Sequence, residues 1–501
     1  MAGWSYRIEL HTVILPHPAQ LPSPEVPRIS ALAQWSYGIG EMAVVAPISV
    51  SVFFLLFFLT EVVGLSPSQA GGILLLGRLW DAINDPLIGL LSDATPTFPR
   101  WGRRYPWLLG CAIPLGWACA MQWWVPPLLS KGLLAYYSGI SLLAFGLFTA
   151  VQIPFTALAA ELTQGYDERT QLMSFKSAFN ILGSIVGLLI AETVFGLIKQ
   201  PRAQYGLLGL ILGGLVVGGL AIACFGTLPH YRQLQKQRVV GQPLADPQPS
   251  PGLPLKRRLQ QPLRSLLKNR PFYWLVGLYL CSWVGIQTTA AVLPYFVTGW
   301  MKLPEQHFIQ LALTVQVASI FAIPLWSYLA QRSSKQRIYL LGAPLAMIGL
   351  LGLFFIQPGQ IHRMYGWGGL LGLGLSTFYL VPFAMLPDVI DLDAAQYPTE
   401  QRRGQRREGL FTSVMVFLQK LALAIALFTV TALLEWSGWH NSTAAGAGAQ
   451  PASALLAIRW IMGPLPALTI LGGMVCAGCY PLTRQQHDNI IQRLSQQDSD
   501  P

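Results

Sequence analysis

Within the stretch GRLWDAINDPLIGLLSDATPTFPRWGRRYPW, residues 77–107, an apolar run carries Arg78, Asp81, Asn84 and Asp85. A charge at the centre of a bilayer costs roughly 2.5–3.5 kcal/mol on insertion scales, so such residues mark function. On a helix, positions three and four apart share a face. Asp81, Asn84 and Asp85 therefore converge on one patch, with Arg78 a turn earlier on the side of Asp81. Pro86 has no N–H to offer the carbonyl of Ala82, which adds a further oxygen. Two carboxylates, an amide oxygen and a carbonyl suit a small hard cation. Asp81 and Asp85 would hold Na⁺ as metal ligands, or one of them would carry a proton. The plainer alternative is an Arg78–Asp81 pair that pins helices together, which leaves Asp85 unexplained.

A second device follows. Asp93 ends the run, and Arg100, Arg103 and Arg104 lie in a loop broken by Pro96, Pro99 and Gly102. An acid at the end of a run beside an arginine cluster is expected to pair with it as a gate; the plainer reading is that the arginines only set topology.

The elements that must carry these residues are long apolar helices. Of 501 residues 53% are hydrophobic and 11% charged, against about 25% charged in soluble domains. Twelve apolar runs of spanning length are expected near 29–60, 68–94, 104–128, 133–160, 172–198, 204–228, 271–299, 305–331, 337–357, 364–393, 409–436 and 455–481. The fold class is all-α, a polytopic membrane protein of two six-helix bundles. The expected domains are a tail at 1–28, bundles at 29–228 and 271–481, a linker at 229–270 rich in Pro, Gln and Lys/Arg, and a tail at 482–501. Such linker composition does not fold alone.

The net charge of +11 resides in loops, which argues against a nucleic-acid partner. Arg100, Arg103, Arg104, Arg332, Lys335, Arg337 and the 400–408 segment fall on the side of both tails, while Lys131, Lys199, Arg202, Lys302 and Arg363 are scattered on the other. The positive-inside rule makes both termini and the linker cytosolic in a plasma or inner membrane. The first residues do not read as a cleavable signal peptide. Cys111, Cys119, Cys224, Cys281, Cys476 and Cys479 all fall in apolar runs and read as buried thiols.

Two six-span halves and a cytosolic linker are the plan of a transporter that rocks about a midplane site. The halves are unequal: IFAIPLWSYLAQRSSKQR at 320–337 keeps a basic loop but has no carboxylate. Lys420 is an intramembrane cation near the middle of its span, which demands a carboxylate partner. No nucleophile–base pair or cofactor motif stands out, so neither an enzyme nor a cofactor is expected.

Several motifs resemble the glycoside–pentoside–hexuronide cation symporters of the major facilitator superfamily. They are SYGIGE (36–41), TEVVGLSPSQAG (60–71), GRLWDAINDPLIG (77–89), RWGRRYPW (100–107), VQIPFTALAAELT (151–163), MLPDVID (385–391) and EGLFTSVMVFLQK (408–420). The resemblance implies a twelve-span, monomeric symporter of a sugar or glycoside-type solute, coupled to Na⁺ or H⁺. It assigns the cation site to Asp81, Asn84, Asp85 and Thr149, and coupling to Lys420. Glu41 holds the family's acidic position in the first span as a substrate or proton ligand. Three sugar-binding positions depart from the pattern: Val45, Gln152 and Ser177 stand where the melibiose-transporting members carry charged groups. The related sodium-dependent lysophosphatidylcholine symporters share the second-span motif, and their fifth-span cation aligns with Lys176. That keeps a lysophospholipid or other amphiphile as an alternative substrate; Lys176 also lies where it could snorkel to the interface. A non-transporting membrane scaffold is the lesser alternative. Asp388 and Asp391 are expected either to meet the Arg402–Arg407 cluster as a second gate or to form a solvated helix end.

Overall fold

The computed structural model describes residues 29–98, 100–127, 132–163, 166–240, 269–395, 408–440 and 450–481. Among the described residues the only β feature is an isolated bridge between Phe98 and Gly102. The first half contains α1 (Ala31–Phe57), α2 (Pro67–Ala94), α3 (Tyr105–Gln122), α4 (Leu133–Leu162), α5 (Tyr166–Leu197) and α6 (Pro201–Val240). The second contains α7 (Arg270–Tyr295), α8 (Gln306–Arg332), α9 (Lys335–Phe355), α10 (Ile361–Ala395), α11 (Glu408–Trp436), α12 (Ala452–Met462) and α13 (Pro464–Cys479). Ten described helical stretches are long and apolar enough to cross a membrane, two short of the twelve expected; α2 and α3 form as helices but are not among the ten. In α2 the charges that make it interesting are the same ones that dilute its hydropathy.

Helix starts follow local chemistry. Ser66 caps α2 through the amide of Gln69, whose side chain reaches back to the Ser66 amide. Such a reciprocal box satisfies two orphan donors and stabilises a helix by about 1 kcal/mol. Asn269 caps α7 and Ser334 caps α9. Both α1 and α7 end in a single π turn, Phe58–Val62 and Phe296–Trp300. The shared ending marks the two halves as repeats, and π turns concentrate at functional sites.

Two expected boundaries move. The first bundle was to end at 228, yet α6 runs to Val240. Leu228, Tyr231 and Leu234 recur at helical spacing and are buried against the bundle, so an apolar stripe carries the helix through a segment that composition marks as linker. The last span, expected unbroken over 455–481, breaks between α12 and α13 at Gly463. Pro464 cannot donate an intrahelical bond and starts a new helix at its first turn. The tails at 1–28 and 482–501, the linker over 241–268 and the Arg402–Arg407 cluster lie outside the described residues.

Helix α1 sits between α5 and α6, and α7 holds the matching place against α11 and α13. Close approach of α5 to α1 depends on Gly183 and Gly187: a Cβ at either would lie 2.7 Å from a backbone carbonyl oxygen of α1, of Met42 and Ala46 respectively. The end of the molecule bearing residues 29 and 481 is called proximal here, and the opposite end distal. Large apolar side chains such as Ile113, Leu197, Phe321 and Phe355 point outward, as a bilayer solvent permits.

Candidate functional site

Helix α2 delivers Asp81, Asn84 and Asp85 to the contact with α4 and α11. Asp81 is 1% exposed and Asn84 7%, while Asp85 is half-buried. The Thr149 hydroxyl on α4 lies 2.8 Å from Asp81 Oδ1 and 3.1 Å from Asp85 Oδ1, its proton shared between them. Asn84 Nδ2 donates to the Gly146 carbonyl at 3.2 Å. That holds the amide against α4 by its nitrogen. Thr149 thus bridges Asp81 and Asp85, while Asn84 joins the same α2–α4 contact through Gly146.

Lys420 comes from the other half of the molecule, on α11. Its Nζ lies 2.9 Å from Asp81 Oδ2 and also contacts Asp85 Oδ2. Arg78 stands 3.9 Å from Asp81 Oδ2, with its guanidinium over the Phe145 ring. Two carboxylates therefore face two cations, and the buried cluster is formally neutral. The carboxylate partner expected for Lys420 is thus this pair, and the Arg78–Asp81 bridge that left Asp85 unexplained is extended by a second cation that reaches both aspartates. Burying the carboxylates without these partners would cost several kcal/mol per ion.

A second polar network lies on the proximal side of the same half. Glu41 on α1, 1% exposed, accepts a hydrogen bond from Asn180 Nδ2 at 2.9 Å and a long one from Gln152 Nε2 at 3.5 Å. Lys176 Nζ is 3.8 Å from Glu41 Oε2 and donates to Thr156 Oγ1 at 2.9 Å. Lys176 thus turns inward, and its snorkelling to the interface is set aside. Gln152 Oε1 is buried with no partner. An unmet acceptor in a polar pocket is a place for a ligand donor. Ser177 donates back to the Met173 carbonyl of its own helix, at 3.0 Å. Asn180 and Thr156 were not foreseen, because neutral side chains in an apolar helix carry no distinguishing signal.

At the proximal end, Arg103 and Arg104 each donate through Nε to Glu161 Oε1, at 2.9 and 3.2 Å, and Arg104 also contacts Ser92. Glu161, in the last turn of α4, was not foreseen, although it closes the AAELT motif. Gly102 turns the loop at φ +64°, beneath the Tyr231 hydroxyl, where a Cβ has no room. Arg100 lends its carbonyl to Arg232 Nε at 3.1 Å. Asp388 pairs with Lys335 Nζ at 2.7 Å, a partner within its own half that the sequence reading did not assign. The side chains of Asp93 and Asp391 lie outside the described residues.

Bonds between the halves follow a different distribution. Thr60 and Tyr295 share one at 2.7 Å, Trp439 Nε1 donates to Glu61 at 2.9 Å, and the Ser68 amide donates to Glu435 at 2.7 Å. Nearer the middle, Gln310 donates to Glu192 at 3.1 Å and Gln316 to Ser184 at 2.9 Å. At the proximal end, the described ion pairs all stay within one half. The distal end is sealed by cross-bundle bonds.

Residues 36–484 match the model of a family described as MFS/sugar transport protein. An uncharacterized symporter of Synechocystis sp. is 37% identical, over 92% of this chain and 95% of its own. A putative glycoside/cation symporter of Escherichia coli is 26% identical over 91% and 93% of the two chains. A sodium-dependent lysophosphatidylcholine symporter of Danio rerio is 25% identical over 92% and 88%.

Proposed function

We propose, for a chain that belongs to the MFS/sugar transport protein family and is a multi-pass membrane transporter of symporter type, that it couples Na⁺ or H⁺ to uptake of a sugar or glycoside-type solute. The observation that carries this reading is the ammonium of Lys420 seated between Asp81 and Asp85. A tethered cation holds the position a coupling ion would take, and it belongs to the opposite half. Oxygens of Asp81, Asp85, Thr149 and Asn84 form a hard-donor set suited to Na⁺. A proton on one carboxylate would equally relieve the need for Lys420. Either ion displaces the lysine, loosens one bond between the bundles and lets them rock. Linkage then requires that substrate and ion each tighten binding of the other.

The polar network of Glu41, Asn180, Gln152 and Lys176 supports a hydroxyl-rich substrate, since it offers donors and acceptors side by side. The inward Lys176 also favours a second reading, a lysophospholipid-type amphiphile whose phosphate it would meet. Trp35, Phe175 and Phe179 form an aromatic group on the same pair of helices. On this proposal the distal end faces the outside of a plasma or inner membrane, both termini are cytosolic, and the working unit is a monomer. The Arg103, Arg104, Glu161 and Lys335, Asp388 pairs would exchange partners as the proximal gate closes.

The test is reconstitution into liposomes with an imposed Na⁺ or H⁺ gradient, with labelled disaccharide, pentoside and lysophospholipid supplied in parallel. Gradient-driven accumulation of one of them is expected. If no gradient drives accumulation while the protein is correctly inserted, the symport reading fails.

A further inference from the structure

Two acidic side chains that the cation site does not use lie at the distal seal, one from each half. Glu61 lies in the π turn that ends α1 and is 8% exposed. Its Oε1 accepts from Trp439 of the second half. Glu305 immediately precedes α8 of that half, and its buried Oε2 has no hydrogen-bond partner. Ring contacts bring the two backbones together. Phe308, one turn into α8, lies over Phe54 and Phe57 of α1, with ring centroids 4.6 and 6.4 Å apart; Phe57 is one turn before Glu61.

A third group completes the cluster. Tyr205 on α6 is fully buried, its hydroxyl lacks a partner, and it sits within electrostatic reach of Glu305, Glu61 and Tyr295. Buried polar atoms without partners are uncommon in native structures and call for a physical reason. Two of them, Glu305 Oε2 and Tyr205 Oη, share this one seam between the halves. A carboxylic acid, unlike a carboxylate, has a proton to donate to its neighbour.

We propose that Glu61 and Glu305 form a proton-operated latch on the distal seal, in which the closed end holds one proton between two carboxylates of opposing bundles and loss of that proton drives the ends apart. Two ionised carboxylates cannot comfortably share a dry seam, and protonating one converts a repulsion into a hydrogen bond. The latch needs no new component. It uses the separation of the halves that the alternating-access reading requires, and so rests on that reading.

The electrostatics agree. Burial first, and the neighbouring Glu61 second, push the Glu305 carboxyl from 4.5 up to about 7. Of the other titratable groups at the seam, Tyr205 lies within electrostatic reach of Glu305 and Tyr295 within reach of Glu61; both are phenols, neutral in this range. On its own segment lie exposed Lys302 and also His307, whose Nδ1 bonds the Tyr365 hydroxyl at 2.8 Å. Once the end opens, Glu305 meets water and regains its ordinary value. The closed state therefore binds the proton more tightly than the open one. Its advantage is fully present below about pH 4.5 and is lost as pH rises through about 7.

The experiment places spin labels on non-canonical residues at Leu197 and Phe355, exposed distal positions of the two halves, in the full chain in nanodiscs without substrate. Electron–electron distances are read at pH 5 and pH 8. The open-to-closed ratio should rise on the order of tens of fold between them, each pKa unit being worth a factor of ten. In Glu305→Gln, which keeps a donor but cannot ionise, the ratio at pH 8 should match that of the parent at pH 5 and lose its pH dependence. A parent distribution identical at both pH values overturns the latch even if the variant does not fold. So does an undiminished pH response in Glu305→Gln, which would point to His307. Ion-driven uptake can succeed whichever way this experiment falls, so the two failures are separable.

Discussion

The ammonium of Lys420 on α11 lies 2.9 Å from Asp81 Oδ2 on α2, so the two halves are joined through the carboxylates of the candidate ion site. With Arg78 3.9 Å from the same oxygen, the site balances two negative charges with two positive ones. A bound cation would leave that balance positive unless Lys420 withdrew. At an effective dielectric of about 20, unit charges 4 Å apart interact by about 4 kcal/mol. That is enough for occupancy by an ion and by the lysine to exclude one another.

Lys420→Gln removes the competitor and keeps much of the side-chain volume. Na⁺ should bind about tenfold or more tightly, even after solvent weakens the interaction, and should raise thermal stability at lower Na⁺ concentration than in the parent. Uphill accumulation of substrate should be lost, because ion binding no longer changes a bond between the halves. Calorimetric ion binding and gradient-driven uptake check the two arms. Loss of Na⁺ binding would instead make Lys420 part of the receptor.

The two aspartates should separate in their effects. Either Asp81→Asn or Asp85→Asn removes ion-stimulated uptake. Asp81 is fully buried and contacts Thr149, Lys420 and Arg78, whereas Asp85 is half-buried. Removing one partner of a buried ion pair costs up to about 3–5 kcal/mol when the other is left uncompensated. Asp81→Asn should therefore lower Tm clearly and Asp85→Asn little, as measured by thermal unfolding in detergent. Equal Tm values, or ion dependence like that of the parent, would contradict this division.

These residues show what helical spacing can reach and what it cannot. Ion-site candidates declare themselves because a charge in an apolar helix is costly, and helical spacing alone puts Asp81, Asn84 and Asp85 together. What spacing cannot supply is the partner from a distant span: Lys420 lies 335 positions from Asp85 in the chain. Asn180 and Thr156 stayed hidden because neutral polar side chains are tolerated in any helix, and Glu161 because an acid at a span end looks solvated. Composition marked 229–270 as linker and missed that Leu228, Tyr231 and Leu234 carry α6 on to Val240. The break at Gly463–Pro464 sits inside the apolar run 455–481, whose hydropathy alone reads as one span.

Glu41→Gln tests the proximal network separately from the ion site. Glu41 accepts from Asn180 and lies 3.8 Å from Lys176. A hydrogen bond to a charged group contributes about 1.5–3 kcal/mol, so substrate affinity should fall by roughly tenfold to a hundredfold. Na⁺-induced stabilisation should persist, since no contact of Asp81 or Asp85 is touched. If both properties fell together, Glu41 would belong to the coupling machinery and not to the substrate pocket.

Gly183→Ala links packing to the same pocket. The added Cβ would lie 2.7 Å from the Met42 carbonyl oxygen and 3.0 Å from its Cα, both backbone atoms of α1 that cannot turn aside. Forcing an extra methyl into a filled contact costs about 1–3 kcal/mol, so Tm should fall. The shift must also part α1 from α5 where they join the pocket, because Met42 adjoins Glu41 and Gly183 lies one turn beyond Asn180. The 2.9 Å bond between Asn180 and Glu41 should lengthen, weakening substrate binding while ion binding at α2 and α11 stays near the parent value. Gly72, where an added Cβ meets nothing within 4 Å, gives the control: Gly72→Ala should leave both affinities unchanged and Tm equal or slightly higher, since Ala favours the helix over Gly. A Gly183→Ala protein with parental Tm and substrate affinity would show that α1 and α5 can yield at this contact without disturbing the pocket.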